Sequence, residues 1–236
     1  MLSNLLSKDI SPLNNLHLGW VSFWVTYWVS SLFIFPKVEP ETNPELSRST
    51  LYKNLLTHKV ISFFWAFLFD KVPAVITRNN AWSQFLGIYA YIFVLSDVSV
   101  YAIHRLLHTK WFYGSHKTHH TYIHAEPVGA IYESKFEMLV GSPLLNMIVF
   151  RNLAMSTTEI VVMSAIFSFN SLRIHSGVAW SITGNDWLST AKKWIFDDSF
   201  HAAHHIKRKC NYGLSGLTDW IFGTYTNGSK VIAEAR

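Results

Sequence analysis

The chain has 236 residues and a formal net charge of +5, with 50% apolar residues, only 15% charged residues and ten tryptophans. That length bounds it to one domain or two small ones, and the composition weighs against an ordinary water-bathed domain. Nucleic acid is excluded as a partner because Lys110, Lys117, Lys192, Lys193, Lys207, Arg208 and Lys209 flank histidine clusters instead of forming one solvated patch. A single cysteine, Cys210, excludes an intramolecular disulfide and a thiolate zinc cage.

In chain order, Met1–Leu16 lacks a basic leader and a small-residue cleavage site, so the first apolar run is expected to be a retained anchor. Leu16–Phe35 carries no Asp, Glu, Lys or Arg, ends before Pro36 and is long enough to span a bilayer. Residues 37–56 are polar and predict a loop. Residues 59–77 are apolar but broken by Asp70, Lys71 and Pro73, and predict a kinked, re-entrant or interfacial piece. Trp82–Ile103 is a further span interrupted only by Asp97. Met138–Phe150 and Thr158–Leu172 predict a helical hairpin that dips into or crosses the bilayer, and residues 178–236 contain no spanning run. The expected fold is all-α: an integral membrane, multi-pass helical bundle with a histidine-rich metal-binding cap. Basic residues beside the histidines place that cap on the cytosolic face.

The chemistry gathers in three clusters, His104-Arg-Leu-Leu-His108, His116-Lys-Thr-His119-His120 and His201-Ala-Ala-His204-His205. At this histidine content chance supplies about 0.03 matches to H-x2-H-H, and the chain has two. Spacings of three and four put side chains on one helix face, so each cluster is expected to aim its imidazoles in one direction. Imidazole suits iron, zinc, copper and nickel. Eight clustered histidines exceed the roughly four to six nitrogens one ion takes, which points to two ions in one pocket. His175 follows the hairpin and returns to the same face as a ninth ligand, and His124 is a weaker addition to the second cluster. His17 and His58 fall at interfacial ends and are expected to do nothing chemical.

Asp97, Tyr101, His104 and His108 step by four, three and four along one helix face. A carboxylate within an apolar helix needs a partner, and a hydrogen bond to a ligand histidine would satisfy it. A bond to a neighbouring helix is the structural alternative. The chain has no H-E-x-x-H, no glycine-rich nucleotide loop and no G-x-S-x-G elbow. A bis-histidine haem protein for electron transfer fits poorly, because haem takes one or two axial histidines. A metal transporter would carry its ligands near a membrane midplane.

The histidine pattern resembles the fatty acid hydroxylase/sterol desaturase superfamily over about Asp97–Thr224. The likeness extends to Asp97-x3-Tyr101-x2-His104-Arg105, to Asn211-Tyr212-Gly213 and to Asp219-x2-Phe222-Gly223-Thr224. His175-Ser-Gly177 is similar to a segment of the C-4 methyl sterol oxidase and cholesterol hydroxylase branch. Two positions depart from the pattern. Thr218 stands where the family usually has Trp before the closing Asp, and Ser171 stands where some fatty acyl hydroxylases carry a second histidine four residues before His175.

The resemblance implies a non-haem di-iron centre that uses O2 to hydroxylate or oxidise an unactivated C–H bond of a sterol or related lipid drawn from the membrane. A C-5-type desaturase or a fatty acyl/sphingolipid hydroxylase is the alternative. The implied iron ligands are His104, His108, His116, His119, His120, His175, His201, His204 and His205, with Asp97 and Tyr101 as supporting catalytic groups. Cytochrome b5 or a similar donor is the expected partner, with Lys207-Arg208-Lys209 as a docking patch, and the endoplasmic reticulum is the expected location if the source is eukaryotic. Residues 1–81 then form a membrane anchor region and residues 82–236 the catalytic domain.

Overall fold

The computed structural model describes residues 16–33, 48–71, 82–121, 127–141, 155–175 and 198–235. Among these, every regular element is a helix. They are α1 (Leu16–Phe33), α2 (Arg48–Phe69), α3 (Trp82–Leu107), α4 (Tyr113–His116), 3-10 turns at His119–Thr121 and Pro127–Ile131, α5 (Lys135–Val140), α6 (Thr157–Ile174), α7 (Asp198–Lys207), α8 (Gly216–Ile221) and α9 (Gly228–Ala235).

Local chemistry sets several of the helix starts. Ser134 and Ser156 cap α5 and α6: each hydroxyl accepts the N3 amide of Glu137 or Glu159, and each glutamate reaches back to the cap amide. Asp70, just past the end of α2, accepts Leu16 N–H and His17 Nδ1–H, both at 2.9 Å. A carboxylate there complements the positive end of the α1 dipole. The residue that breaks the 59–77 apolar run is therefore the tether of a neighbouring helix.

Helix α1 lies along α6. A Cβ on Gly19 would meet Ile160 Cγ2 at 2.5 Å and Ser164 Oγ at 2.8 Å, so only glycine permits this approach. Ser22 donates to Val161 C=O and Ser168 to Phe23 C=O, each at 2.8 Å. On the other side of α1, Trp20 Nε1 donates to Ser62 Oγ of α2 at 3.1 Å. Trp24, Tyr27, Leu55, Ala130, Ile131 and Leu172 form one buried cluster beneath. At about 1.5–3 kcal/mol per large apolar side chain removed from water, this cluster fixes the end of α6 that carries His175.

Three expectations change. Residues 37–56 are not wholly loop: the chain is helical from Arg48, because Leu51, Leu55 and His58, spaced by four and three, supply an inward face. The hairpin reading covers α6, and α5 is a short capped helix ending before Gly141; residues 142–150 lie outside the described residues. So do residues 1–15, His124, Gly177, Lys192 and Lys193.

The third change is the largest. Among the described residues, no helix is long and apolar enough to cross a membrane. A run without charge is not thereby a lipid-soluble run. Trp20, Trp24, Trp28, Tyr27, Ser22, Ser30 and Ser31 dilute the hydropathy of α1, Lys53 and Lys59 interrupt α2, Asp97 and Arg105 lie in α3, and Glu159 and Arg173 close in on α6 from both ends. The integral, multi-pass membrane bundle is overturned, and with it the cytosolic-face placement and the multi-pass location in the endoplasmic reticulum that the resemblance implied.

Candidate metal centre

Nine histidines converge from four parts of the chain. His104 sits in the last turn of α3, with His108 one turn on; the His108 amide still bonds to His104 C=O at 3.1 Å. His116 ends α4, and His119 and His120 open the following 3-10 turn. His175 caps the end of α6, and α7 carries His201, His204 and His205.

The donors sort into two groups, each with its ligand atoms within 4.8 Å of one another: His104, His108, His116, His120 and His204, and His119, His175, His201 and His205. The groups abut, with the His120 and His205 ring centroids 4.6 Å apart. The clusters do not each aim one way, as their spacing first suggests. Each i, i+4 pair serves a single group, while His119 and His204, at i+3, cross to the other.

Hydrogen bonds at Nδ1 fix the tautomers of several rings. Carbonyl oxygens accept only, so His104 donates Nδ1–H to Tyr212 C=O at 2.8 Å, His175 to Ser171 C=O at 2.8 Å and His204 to Cys210 C=O at 2.6 Å. His116 donates Nδ1–H to Glu137 Oε1 at 2.5 Å. Each bond leaves the Nε2 lone pair facing inward. His104 and His116 Nε2 then lie 3.0 Å apart, as do His116 and His120, and His108 and His120. In the second group His201 and His205 Nε2 are 3.0 Å apart.

Two lone pairs at that distance repel unless a proton or a cation lies between them. Burial opposes the proton. It pushes His104, His119, His201 and His204 well below the usual imidazole range, helped by repulsion between the rings, and lowers His175 to about 4. A cation fits: two nitrogens bound at about 2.1 Å and at right angles lie about 3.0 Å apart. The donor set therefore suits metal in both groups. A haem fits poorly, because it takes one or two axial histidines and nine converge here.

Asp97 and Tyr101 are near the centre but touch no histidine through a hydrogen bond. Asp97 Oδ1 accepts Ser215 N–H at 2.6 Å, and Oδ2 accepts Thr218 N–H at 3.1 Å and the Thr218 hydroxyl. The structural alternative for Asp97 is the one observed, and Thr218, in the place of the family's usual Trp, is its partner. Asp219 Oδ1 takes Tyr212 N–H at 2.8 Å and Oδ2 takes Gly213 N–H at 2.7 Å. A Cβ on Gly213 would meet Asp97 Oδ1 at 2.8 Å and Asp219 Oδ2 at 3.0 Å, so glycine lets the chain pass between the two acids. Arg208 (φ 60°) and Asn211 (φ 58°) turn the chain sharply after α7. The Asn211 amide holds that turn, donating to Phe200 and Thr226 C=O, each at 2.9 Å. The result is a clamped loop whose Tyr212 carbonyl orients His104. Tyr101 receives Arg105 Nη1–H at 2.6 Å and stacks on Phe222.

Sequence reading missed Glu137, whose signal was the capping box Ser134-x-x-Glu137. It gave no role to Cys210, which acts through its carbonyl, or to Asp219, which lay inside a quoted motif. Ser171, noted for the ligand it is not, supplies the carbonyl that fixes His175.

The fold and site define a class: a protein all-helical in its described residues, with an all-histidine, two-group candidate metal centre. The sequence model of the fatty acid hydroxylase family matches residues 89–224, more than half of the chain, and the chain belongs to that family. No curated protein and no solved structure matches it. Family and histidine cluster together make it a lipid hydroxylase or desaturase, an oxidoreductase of a typically iron-dependent kind.

Proposed function

We propose that the protein is an O2-dependent lipid oxidase that holds two iron ions, one in each histidine group, and hydroxylates or oxidises an unactivated C–H bond of a sterol or related lipid. The observation that carries this is the convergence of imidazole nitrogens in two adjoining groups. Iron held there supplies O2 activation and accepts the electrons that the reaction needs.

The chain's own residues do the rest. His104, His108, His116, His120 and His204 hold one ion, and His119, His175, His201 and His205 hold the other. The carbonyls of Tyr212, Ser171 and Cys210, with the Glu137 carboxylate, keep a proton on Nδ1 so that Nε2 remains the donor. Asp97 and Asp219 act one step further out, clamping the loop that carries the Tyr212 carbonyl. Burial keeps His104, His119, His120, His175, His201 and His204 neutral, and an enclosed site shields a reactive oxidant from side reactions. The sterol preference rests on the His175-Ser-Gly177 likeness. Two electrons per turnover come from a separate carrier of the cytochrome b5 type, for which the exposed Lys207-Arg208-Lys209 run, with Lys207 also 3.5 Å from Glu234, offers a basic surface.

The test is metal content and visible spectrum of anaerobically purified protein, followed by incubation with sterols or fatty acyl lipids, a reduced carrier and labelled O2. About two irons per chain, no haem absorption and an oxidised lipid are expected. A single haem, or no transition metal, overturns the reading.

A further inference from the structure

Among the described residues, three tyrosines stand close to the five-histidine group, and one of them has a place to put its proton. The Tyr212 ring packs on His204, His108 and His104 at centroid separations of 5.3, 5.4 and 5.7 Å, and Tyr113 lies 5.6 Å from His108. The Tyr212 hydroxyl donates to Arg208 C=O at a long 3.4 Å, and the buried Tyr113 hydroxyl has no partner. A main-chain carbonyl accepts a hydrogen bond but does not take the proton.

Tyr101 differs. It stands behind Tyr212, edge-on at 6.0 Å, and stacks on Phe222 at 5.1 Å. Its oxygen accepts Arg105 Nη1–H at 2.6 Å and lies 3.3 Å from Thr224 Oγ1. Thr224 has one hydroxyl hydrogen, and the 2.6 Å bond to Asp219 Oδ1 claims it. The Tyr101 hydroxyl is left to donate to Thr224, so a phenol, an alcohol and a buried carboxylate stand in line. Burial pushes the Asp219 carboxyl above its ordinary range, which makes it a better proton acceptor. Tyr101 itself is 5% exposed, while Phe222 is 58% exposed and Arg105 reaches solvent. A row of rings therefore runs from the histidines through Tyr212 and Tyr101 to the surface at Phe222.

We propose that Tyr101 is a redox-active tyrosine, which gives one electron to an oxidised metal centre when no lipid is there to be oxidised, its proton passing through Thr224 to Asp219. As the electron leaves the ring, the Tyr101 O–H bond breaks and its proton bonds to Thr224 Oγ1, while the Thr224 proton passes to Asp219 Oδ1. The electron crosses the Tyr212 ring and lowers the oxidised centre by one equivalent. Arg105 keeps its hydrogen bond to the oxygen of the neutral radical. A one-electron carrier at the exposed Arg105 and Phe222 face then returns an electron, and Asp219 returns the proton. An oxidant without substrate is thereby led away from its own ligands.

This inference takes its oxidant from the oxidase reading, and the experiment separates the two. Metal-free protein is oxidised by flash-generated tris(bipyridine)ruthenium(III), and radicals are followed by electron paramagnetic resonance and transient absorption. A long-lived neutral tyrosyl radical is expected in the wild type and absent from Tyr101→Phe, which keeps the ring stacking. Thr224→Val, which severs the proton path, should slow its formation about 100-fold or more, and Thr224→Ser should restore it. No long-lived radical in the wild type, the same signal in Tyr101→Phe, or an unchanged rate in Thr224→Val overturns the proposal. Iron-loaded, reduced wild type is then given O2 without lipid, with iron measured in the same sample. The same radical is expected. Bound iron without the radical overturns the link from Tyr101 to the centre while the metal site stands. No bound iron overturns the oxidase reading, and the redox activity of Tyr101 is then decided by the photo-oxidation alone.

Discussion

Acid should unfold the metal-free protein far above the pH at which most domains yield. Seven deeply buried histidines, His58, His104, His119, His120, His175, His201 and His204, have their protonation pushed down by burial. In the unfolded chain each titrates near 6.5. A group whose folded value is depressed stabilises above the unfolded value, and that stability drains away as pH falls below it. Each such histidine costs about 1.3 kcal/mol between pH 7 and 5.5, so seven cost about 9 kcal/mol. His108, half-buried, is left out. Glu133 runs the other way, since its folded value near 8 exceeds its unfolded one; acidification returns about 2 kcal/mol over the same interval. The net loss of about 7 kcal/mol compares with a typical total stability of about 5–15 kcal/mol. Circular dichroism of chelator-treated protein should therefore show unfolding near pH 5.5, with about six protons taken up, and bound metal should move the transition to lower pH. An uptake of one or two protons, or a metal-free fold that persists at pH 4, would show that the rings are not neutral and enclosed as described.

The remaining predictions probe the partners of the rings. Glu137→Gln should weaken metal binding about 10–100-fold, while Ser134→Ala, which removes the helix cap and one hydrogen bond to Glu137 Oε2 but leaves Glu137 Oε1 on His116, should cost about 1 kcal/mol of stability with a much smaller loss of metal affinity by calorimetry. Gly213→Ala places a methyl between Asp97 and Asp219 and should lower stability by about 1–3 kcal/mol, read by thermal unfolding. His201→Ala with His205→Ala strips one group, so metal content should halve; adjacent His204→Ala with His205→Ala should weaken binding at both groups, which metal titration separates.

How much of this was legible from sequence depends on the physical range of each interaction. The histidine set was readable because its spacing is local, and α6 and α7 follow from local patterns. The hold on each ring was not, because Tyr212 C=O reaches His104 across 108 residues and Asp97 binds Ser215 across 118. Carbonyl acceptors leave no mark in side-chain identity at all. The membrane-crossing expectation failed for a different reason: counting charges ignores the polar atoms of Trp, Tyr and Ser, which α1 turns toward α2 and α6. For the cluster on α7, the split between two groups could have been foreseen from helix geometry alone. At 3.6 residues per turn, successive residues diverge by about 100° and i, i+4 by about 40°. In H-x2-H-H the outer pair thus faces one ion while the middle histidine, about 60° to the other side of the first, turns away from its neighbour. His204 of α7 crosses in this way to the group of His116 and His120, and His119, in the 3-10 turn after α4, crosses to the group of His201 and His205. A single ion would leave those crossing rings without a purpose, and this is the strongest structural argument for two.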